Sequence, residues 1–311
     1  MADQQGVDAL LETSYSLLAS LDLDAAHAKL EEGLSLDFEH PELICALKHA
    51  RWWQDSAKRI EARTDPLEGG DLCMARLRAF QDFAGRICAP VERPALAFKH
   101  YACGLALSRY RQLELPGETP DPELAIRLGK ALKGLGDYEA AVATFEKAAK
   151  LRKDDAALLS ELADCYGLIG ETRMSKALFR EAFFINPQRV DLAGVESESV
   201  RRLAAKAMEH AQGEHEAAEW IPVYGELLAV FSVKRELKPM EISRIKQSIY
   251  EMETELASDG SRRAVLLPRL INRYFWLADC YVSRREPKER IDELLLKIKL
   301  LDPNVYKLYI A

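Results

Sequence analysis

The chain has 311 residues, with 43 Lys and Arg against 50 Asp and Glu, so its formal net charge is −7. Apolar residues make up 48% of it, with only 16 Gly and 13 Pro, which excludes intrinsic disorder, collagen-like structure and a low-complexity linker. The acidic balance argues against a dedicated nucleic-acid binder. Length alone leaves two architectures open: two compact domains, or an array of about nine helix pairs of ~34 residues each.

Nothing in the sequence predicts export or membrane insertion. The start is polar and lacks the basic and apolar regions of a signal peptide, and no run of ~18 apolar residues follows. The six cysteines form no CxxC pair and mostly lie in apolar stretches, so we expect buried, reduced thiols in a cytoplasmic protein. These cysteines are Cys45, Cys73, Cys88, Cys103, Cys165 and Cys280.

The charge is unevenly distributed along the chain. From Lys234 to Lys307 there are 16 basic and 12 acidic residues, a balance of +4, so the rest of the chain carries −11. A solvated helical surface would explain this distribution, and a polarised docking face is the alternative.

Nearly every segment is predicted to be helical, which makes the fold class all-α. Asp65-Pro66, Asp121-Pro122 and Glu286-Pro287 are the clearest helix starts, since an Asp before a Pro supplies an N-cap oxygen. Outside the middle of the chain, the longer helices are predicted over 41–64, 69–88, 197–212, 214–230 and 238–257.

A repeat of 34 residues occupies the middle of the chain, over 122–155 and 156–189. Superposing the two units brings Leu128 onto Leu162, and small and aromatic residues then coincide as well. Small residues let two antiparallel helices approach closely, and large residues fill the groove beside them. The positions with this predicted packing role are Leu128, Gly129, Ala141, Phe145, Ala148, Leu162, Ala163, Tyr166, Phe179, Ala182 and Pro187.

These positions resemble the pattern of the tetratricopeptide repeat (TPR) family, although Leu132 and Lys153 depart from it in the first unit. The resemblance implies a right-handed helical-repeat solenoid with irregular, longer helices on both sides of two regular repeats. We expect one continuous array over 1–311. It would consist of degenerate N-terminal repeats (1–120), two regular units (122–189) and atypical C-terminal helices that end in a TPR-like unit (190–311).

Three off-pattern segments resemble parts of TPR proteins from spirochaetes. They are ALKHARWWQ (46–54), VKRELKP (233–239) and LINRYFWLADCY (270–281). Some TPR proteins of those bacteria build the collar of the periplasmic flagellar motor, which makes such a role a special case of the predictions below.

The motifs of the common enzyme classes and of nucleotide binding are missing from the sequence. His210 and His215 are five residues apart, whereas ligands on one helix face need a spacing of three or four, so a solvated turn is favoured over a metal site. We therefore predict no catalytic site, no metal and no cofactor.

TPR proteins bind peptides or helices along their concave face, and the resemblance carries the lining positions over to this chain. The face would be basic in the first unit, acidic in the second and aromatic in the last. A solvated helix face with internal ion pairs is the alternative. The predicted groove residues are Glu123, Ile126, Arg127, Lys130, Lys133, Ser160, Glu161, Asp164, Asn272, Phe275 and Trp276.

Trp52 and Trp53 are adjacent, so their rings point ~100° apart on a helix. Either both are core residues or one is an aromatic anchor for a partner. Tyr274-Phe275-Trp276 poses the same question.

The favoured function is a non-catalytic scaffold that binds a partner peptide or helix, assembles a bacterial complex and does not contact nucleic acid. Self-association is a possible mode of binding. The alternative is a sensor that holds a peptide or small anionic ligand through residues such as Arg127 and Lys130.

Overall fold

The computed structural model describes residues 2–88, 91–115 and 121–310. Within these residues there are fifteen α-helices, two short 3₁₀ turns and no strand, which confirms the all-α prediction. The helices are α1 (Ala2–Ala19), α2 (Leu23–Leu36), α3 (Pro41–Glu61), α4 (Pro66–Ile87), α5 (Glu92–Arg111), α6 (Pro122–Leu135), α7 (Tyr138–Leu151), α8 (Ala156–Leu168), α9 (Thr172–Ile185), α10 (Glu198–Met208), α11 (Glu214–Leu227), α12 (Pro239–Ser258), α13 (Arg263–Ser283), α14 (Lys288–Leu301) and α15 (Pro303–Ile310).

The chain divides into two compact units, Met1–Ala148 and Ala149–Ala311. In the first unit each of the helices α1 to α5 packs on the next, and α5 also packs on α1, α3 and α6. In the second unit α13 lies among α11, α12 and α14. One continuous array over both units stays a prediction.

The Asp-Pro starts act as the sequence predicts, whereas Glu286 does not. The carboxylates of Asp65 and Asp121 accept hydrogen bonds from the N–H groups of Leu67 and Glu123, each at 3.0 Å. The Glu286 carboxylate instead accepts from the Arg290 guanidinium at 2.9 Å. The longer Glu side chain reaches one helical turn further and forms an i,i+4 pair.

One contact sets the spacing of α6 and α7. Gly129 faces the Phe145 ring so closely that an added Cβ would lie 2.4 Å from the ring carbon Cε1. No side chain fits there, because heavy atoms in contact are normally about 3.5 Å or more apart. The small residue at this repeat position is therefore a steric requirement.

The same contact recurs outside the regular repeats. An added Cβ would lie 2.3 Å from the Tyr110 ring at Gly70, between α4 and α5, and 2.1 Å from the Phe231 ring at Gly225. Neither pair follows from the 34-residue pattern, because Gly70 and Tyr110 are 40 positions apart and Gly225 and Phe231, at the end of α11, are six apart.

The turns within the two regular units depend on glycine. Gly136 and Gly170 have φ angles of +83° and +86°, in the left-handed region that L side chains disfavour. The hydrogen bonds of Asp137 N–H to Leu132 O and of Glu171 N–H to Tyr166 O then close both helix ends.

None of the described helices combines the length and the apolar character that crossing a membrane requires.

We predict that Gly129→Ala lowers the free energy of unfolding by about 1–3 kcal/mol, because the added methyl group displaces the Phe145 ring. Chemical denaturation followed by circular dichroism measures the change. Gly85→Ala is the matched control, since Gly85 lies on exposed α4 surface with nothing within 4 Å. It should be neutral or stabilising by up to about 1 kcal/mol. Equal destabilisation by both variants would contradict the steric explanation.

Candidate interaction site

The predicted groove residues of α6 are held by internal bonds. The Arg127 guanidinium donates to both carboxylate oxygens of Asp71 on α4, at 2.8 and 3.1 Å, and also contacts Glu123. Ile126 and Lys130 are half-buried, and Lys133 is buried. This face is therefore largely a packing surface within the first unit.

Asp71 joins that ion pair to the small-residue contact described above. The hydroxyl of Tyr110, whose ring faces Gly70, donates to Asp71 at 2.8 Å. Burial alone would raise the pKa of Asp71, but the bonds from Arg127 and Tyr110 outweigh it and lower that pKa. Stability from this pair is present above the ordinary pKa of Asp and is lost as the pH falls through the lowered value.

The predicted groove residues of α8 are buried, which differs from the expected open face. Ser160, Glu161 and Asp164 are 2%, 6% and 0% exposed. The Asp164 carboxylate accepts the backbone N–H groups of Glu196 and Ser197, both at 2.7 Å. The chain that leads into α10 therefore covers this helix, so these side chains do not line an accessible groove.

The predicted aromatic part of the groove is also internal. Asn272, Phe275 and Trp276 of α13 are 5%, 0% and 3% exposed. Phe275 stacks on Tyr309 of α15 at a centroid distance of 4.7 Å, and Trp276 packs on Phe184 of α9 at 4.2 Å. Helices from both sides of α13 thus enclose residues that the sequence predicted to face a partner.

An extended stretch, residues 232–238, lies against α9, α11 and α13; we call it the crossing segment. The Lys234 ammonium pairs with Glu226 at 3.0 Å and with Asp279. The Arg235 guanidinium makes two bonds to Glu181, both at 2.9 Å. Ion pairs to all three helices therefore hold the crossing segment in place.

Through Lys234 the crossing segment contacts a buried cluster of charged side chains. Arg180 is 5% exposed, pairs with Asp279 and lies 3.4 Å from Glu226. Its guanidinium also stacks on the Trp276 ring, 4.4 Å from the centroid. With Lys234 the cluster holds two positive and two negative groups, so burial leaves no net charge without a partner.

The structure separates the roles of the two adjacent tryptophans. Trp53 is fully buried against Phe80 and Tyr101, which corrects its inclusion among the possible anchors. Trp52 is half-buried, and the Arg76 guanidinium covers its ring at 4.3 Å. Because neighbouring side chains on a helix point ~100° apart, the Trp53 ring lies in the core while the Trp52 ring lies at its edge.

Exposed apolar surface collects in the second unit. Residues of α12, the start of α13 and α14 line an open groove of about 460 Å³, which we call the α12–α14 groove. Leu300, which lines it, is 77% exposed, and Leu296 lies one turn earlier on α14 at 55%. The apolar lining residues are Leu256, Ala257, Leu270, Tyr274, Leu300 and Leu301, and the charged ones are Glu253, Arg263 and Lys297.

A second feature missed by the sequence analysis is the convergence of Cys45, His49 and Cys88 in the first unit. The spacing of Cys45 and His49 is i,i+4, a signal present in the sequence, whereas Cys88 lies at the C-cap of α4. Burial, together with the charge of Lys48, lowers the pKa of His49 to about 4. The ring is therefore neutral at pH 7.

Comparison with protein families bears on the helix pair α6–α7. The family model of the tetratricopeptide repeat matches residues 122–155, the first of the two units that the sequence pattern predicts. The chain contains a tetratricopeptide repeat. None of the curated proteins compared with the chain matches it. An all-α helical-repeat fold with a TPR at its centre agrees with the predicted fold class.

We predict that Lys234→Ala loosens the crossing segment, because it removes the ammonium that ties the segment to Glu226 and Asp279. Lys234 is 44% exposed, so the loss is about 1 kcal/mol, or about a fivefold rise in the open population. Limited trypsin digestion should then cleave after Arg235 about fivefold faster.

Lys238→Ala is the control, since Lys238 is exposed in the same segment and its ammonium forms no ion pair among the described side chains. Unchanged cleavage after Arg235 in Lys234→Ala would show that the Lys234 pairs do not hold the segment, and that the Arg235 bonds to Glu181 and the buried Phe231 and Leu237 suffice.

Proposed function

We propose that this protein is a non-catalytic scaffold that binds an amphipathic helix of a partner protein in the α12–α14 groove. Tetratricopeptide repeats in general mediate binding to other proteins, and residues 122–155 match that family. The observation that carries the proposal is the exposed leucine row of α14, beside an open groove with an apolar floor.

The choice of this groove follows from what the chain does with its other faces. Arg127 is bonded to Asp71, Asp164 to backbone N–H groups, and the crossing segment lies beside α13. A partner at those positions would have to displace internal bonds and leave buried charges unpaired, which costs several kcal/mol. Binding at Leu296 and Leu300 requires only that exposed apolar surface leave water.

The lining of the groove specifies the chemistry of its occupant. Leu300 lines the groove and Leu296 lies exposed one helical turn earlier, a spacing that matches a helix whose apolar residues recur at i and i+4. The charged lining is two cations, Arg263 and Lys297, against one carboxylate, Glu253, which already accepts from Lys297 at 2.7 Å. A partner helix with acidic residues beside its apolar stripe would complement Arg263.

Binding through the α6 face, with Glu123, Ile126, Arg127 and Lys130, stays a separate prediction, as does sensing of an anionic ligand there. In either case the ligand would compete with Asp71 for Arg127. A cytoplasmic location, a bacterial complex, self-association and the motor-collar role also stay predictions.

We predict that Leu300→Asp weakens partner binding at least tenfold, since it places a charge on the apolar floor without affecting the core. A photo-crosslinking residue at position 300 of the full chain would first capture the partner, and mass spectrometry would identify the linked segment. The affinity of that segment as a synthetic peptide is then measured by fluorescence anisotropy.

Leu96→Asp is the matched control, because Leu96 of α5 is 51% exposed and lies in the other unit. Equal affinity for the Leu300→Asp and Leu96→Asp variants would contradict binding in the groove. A second variant carries the photo-crosslinking residue at position 130. Crosslinks from position 130 and none from 300 would assign the binding site to α6 and support the scaffold function. The absence of any crosslinked protein, including a second copy of this chain, would overturn the scaffold itself.

A further inference from the structure

Three side chains with soft or borderline metal-ligand atoms meet at one place in the first unit. Cys45 and His49 lie one turn apart on α3, and Cys88 ends α4. All three are buried, with Cys88 the most exposed at 9%. The sulfur atoms and the imidazole nitrogen lie within 4.8 Å of one another.

These distances are close to those of a tetrahedral zinc site. Bond lengths of about 2.3 Å to sulfur and 2.0–2.1 Å to nitrogen place the sulfur and nitrogen ligands about 3.6 Å apart, and two sulfurs about 3.8 Å apart. Cys45 Sγ lies 3.7 Å from His49 Nε2. Shifts of ~1 Å or less in side-chain position would bring all three onto one ion.

The environment of His49 supplies an independent reason to expect a ligand. The ring is fully buried, and the edges or faces of Phe80, Phe98 and Phe83 surround it at centroid distances of 4.9, 5.8 and 6.1 Å. Among the described residues its Nδ1 has no hydrogen-bond partner, and Nε2 has only the long contact to sulfur. Burying a polar ring with so little compensation is unfavourable by a few kcal/mol, and a metal bond to Nε2, the nitrogen beside the Cys45 sulfur, would offset part of this cost.

We propose that Cys45, His49 and Cys88 bind one Zn²⁺ ion, with a solvent molecule as the fourth ligand on the Cys88 side. Binding converts two thiols and one Zn²⁺ into a zinc dithiolate and releases two protons. The charge of the two thiolates cancels that of the ion, so the loaded site is neutral, as an apolar environment requires. The same ligands around Cu⁺ would bury a net charge of −1.

The consequence of binding is a crosslink between α3 and the C-terminal end of α4. The two cysteines are 43 positions apart in the sequence, so the ion closes a loop that contains most of both helices. Zinc binding should therefore stabilise the first unit against unfolding, because the folded site binds the ion better than the unfolded chain does.

The test uses the full chain, reduced and stripped of metal, with Co²⁺ and Zn²⁺ as probes. One equivalent of Co²⁺ should give a thiolate-to-cobalt charge-transfer band and tetrahedral d–d bands, and Zn²⁺ should displace it. Calorimetric titration in buffers of different ionisation enthalpy should report about two protons released per Zn²⁺.

Cys88→Ala should weaken Zn²⁺ binding at least about 100-fold and lower the charge-transfer intensity per bound Co²⁺ to about half, since it removes one of two thiolate ligands. Cys73→Ala is the matched control: Cys73 is a buried thiol of α4 that donates to the Ala102 carbonyl at 3.1 Å, and it lies outside the cluster. The control should bind Zn²⁺ as the parent chain does. Circular dichroism confirms that each variant is folded.

Three results would overturn the proposal. They are no Zn²⁺ binding by the reduced parent chain, binding without thiolate bands or proton release, and binding that Cys88→Ala leaves unchanged. Formation of a Cys45–Cys88 disulfide with an added oxidant, and no metal binding, would assign the cluster to redox chemistry instead.

Discussion

The close approach of a small residue and an aromatic ring is the constraint on which the helix pairs depend. Gly129 with Phe145, Gly70 with Tyr110 and Gly225 with Phe231 leave no space for a Cβ atom. Each contact lets a ring fill the groove of a neighbouring segment, so the helix backbones approach closely and apolar surface is buried on both sides. The three pairs are 16, 40 and 6 positions apart in the sequence, so the contact is not confined to one repeat spacing.

Close packing of helices also places charged side chains in partly or fully buried positions, where they form ion pairs. Arg127 pairs with Asp71 in the first unit, and Arg180 with Asp279 and Glu226 in the second. In α6 this pairing engages Arg127, one of the predicted groove residues. The exposed leucines of α14 are then the surface where association gains most, because no internal bond must be broken there.

The two proposals concern different units and can be tested separately. Partner binding rests on apolar surface of the second unit, whereas zinc binding rests on a buried cluster of the first. In the first unit His49 is buried among aromatic side chains. Burying its polar ring there is unfavourable unless a bond, such as one to a metal ion, offsets the cost. In the second unit the groove is open to water and needs an occupant that brings its own apolar face.

The sequence pattern predicted the all-α fold, the Asp N-caps of α4 and α6 and the repeat at 122–155. These features depend on residues within about one repeat of one another. The folded chain alone shows that Asp164 meets the backbone of Glu196, that Arg180 meets Asp279, and that Cys88 joins Cys45 and His49. Those partners are 32 to 99 positions apart in the sequence. The hydrophobic periodicity of a helix does not predict which distant side chains come into contact. The sequence therefore identified the helical framework, while long-range packing determined which of its faces remain accessible.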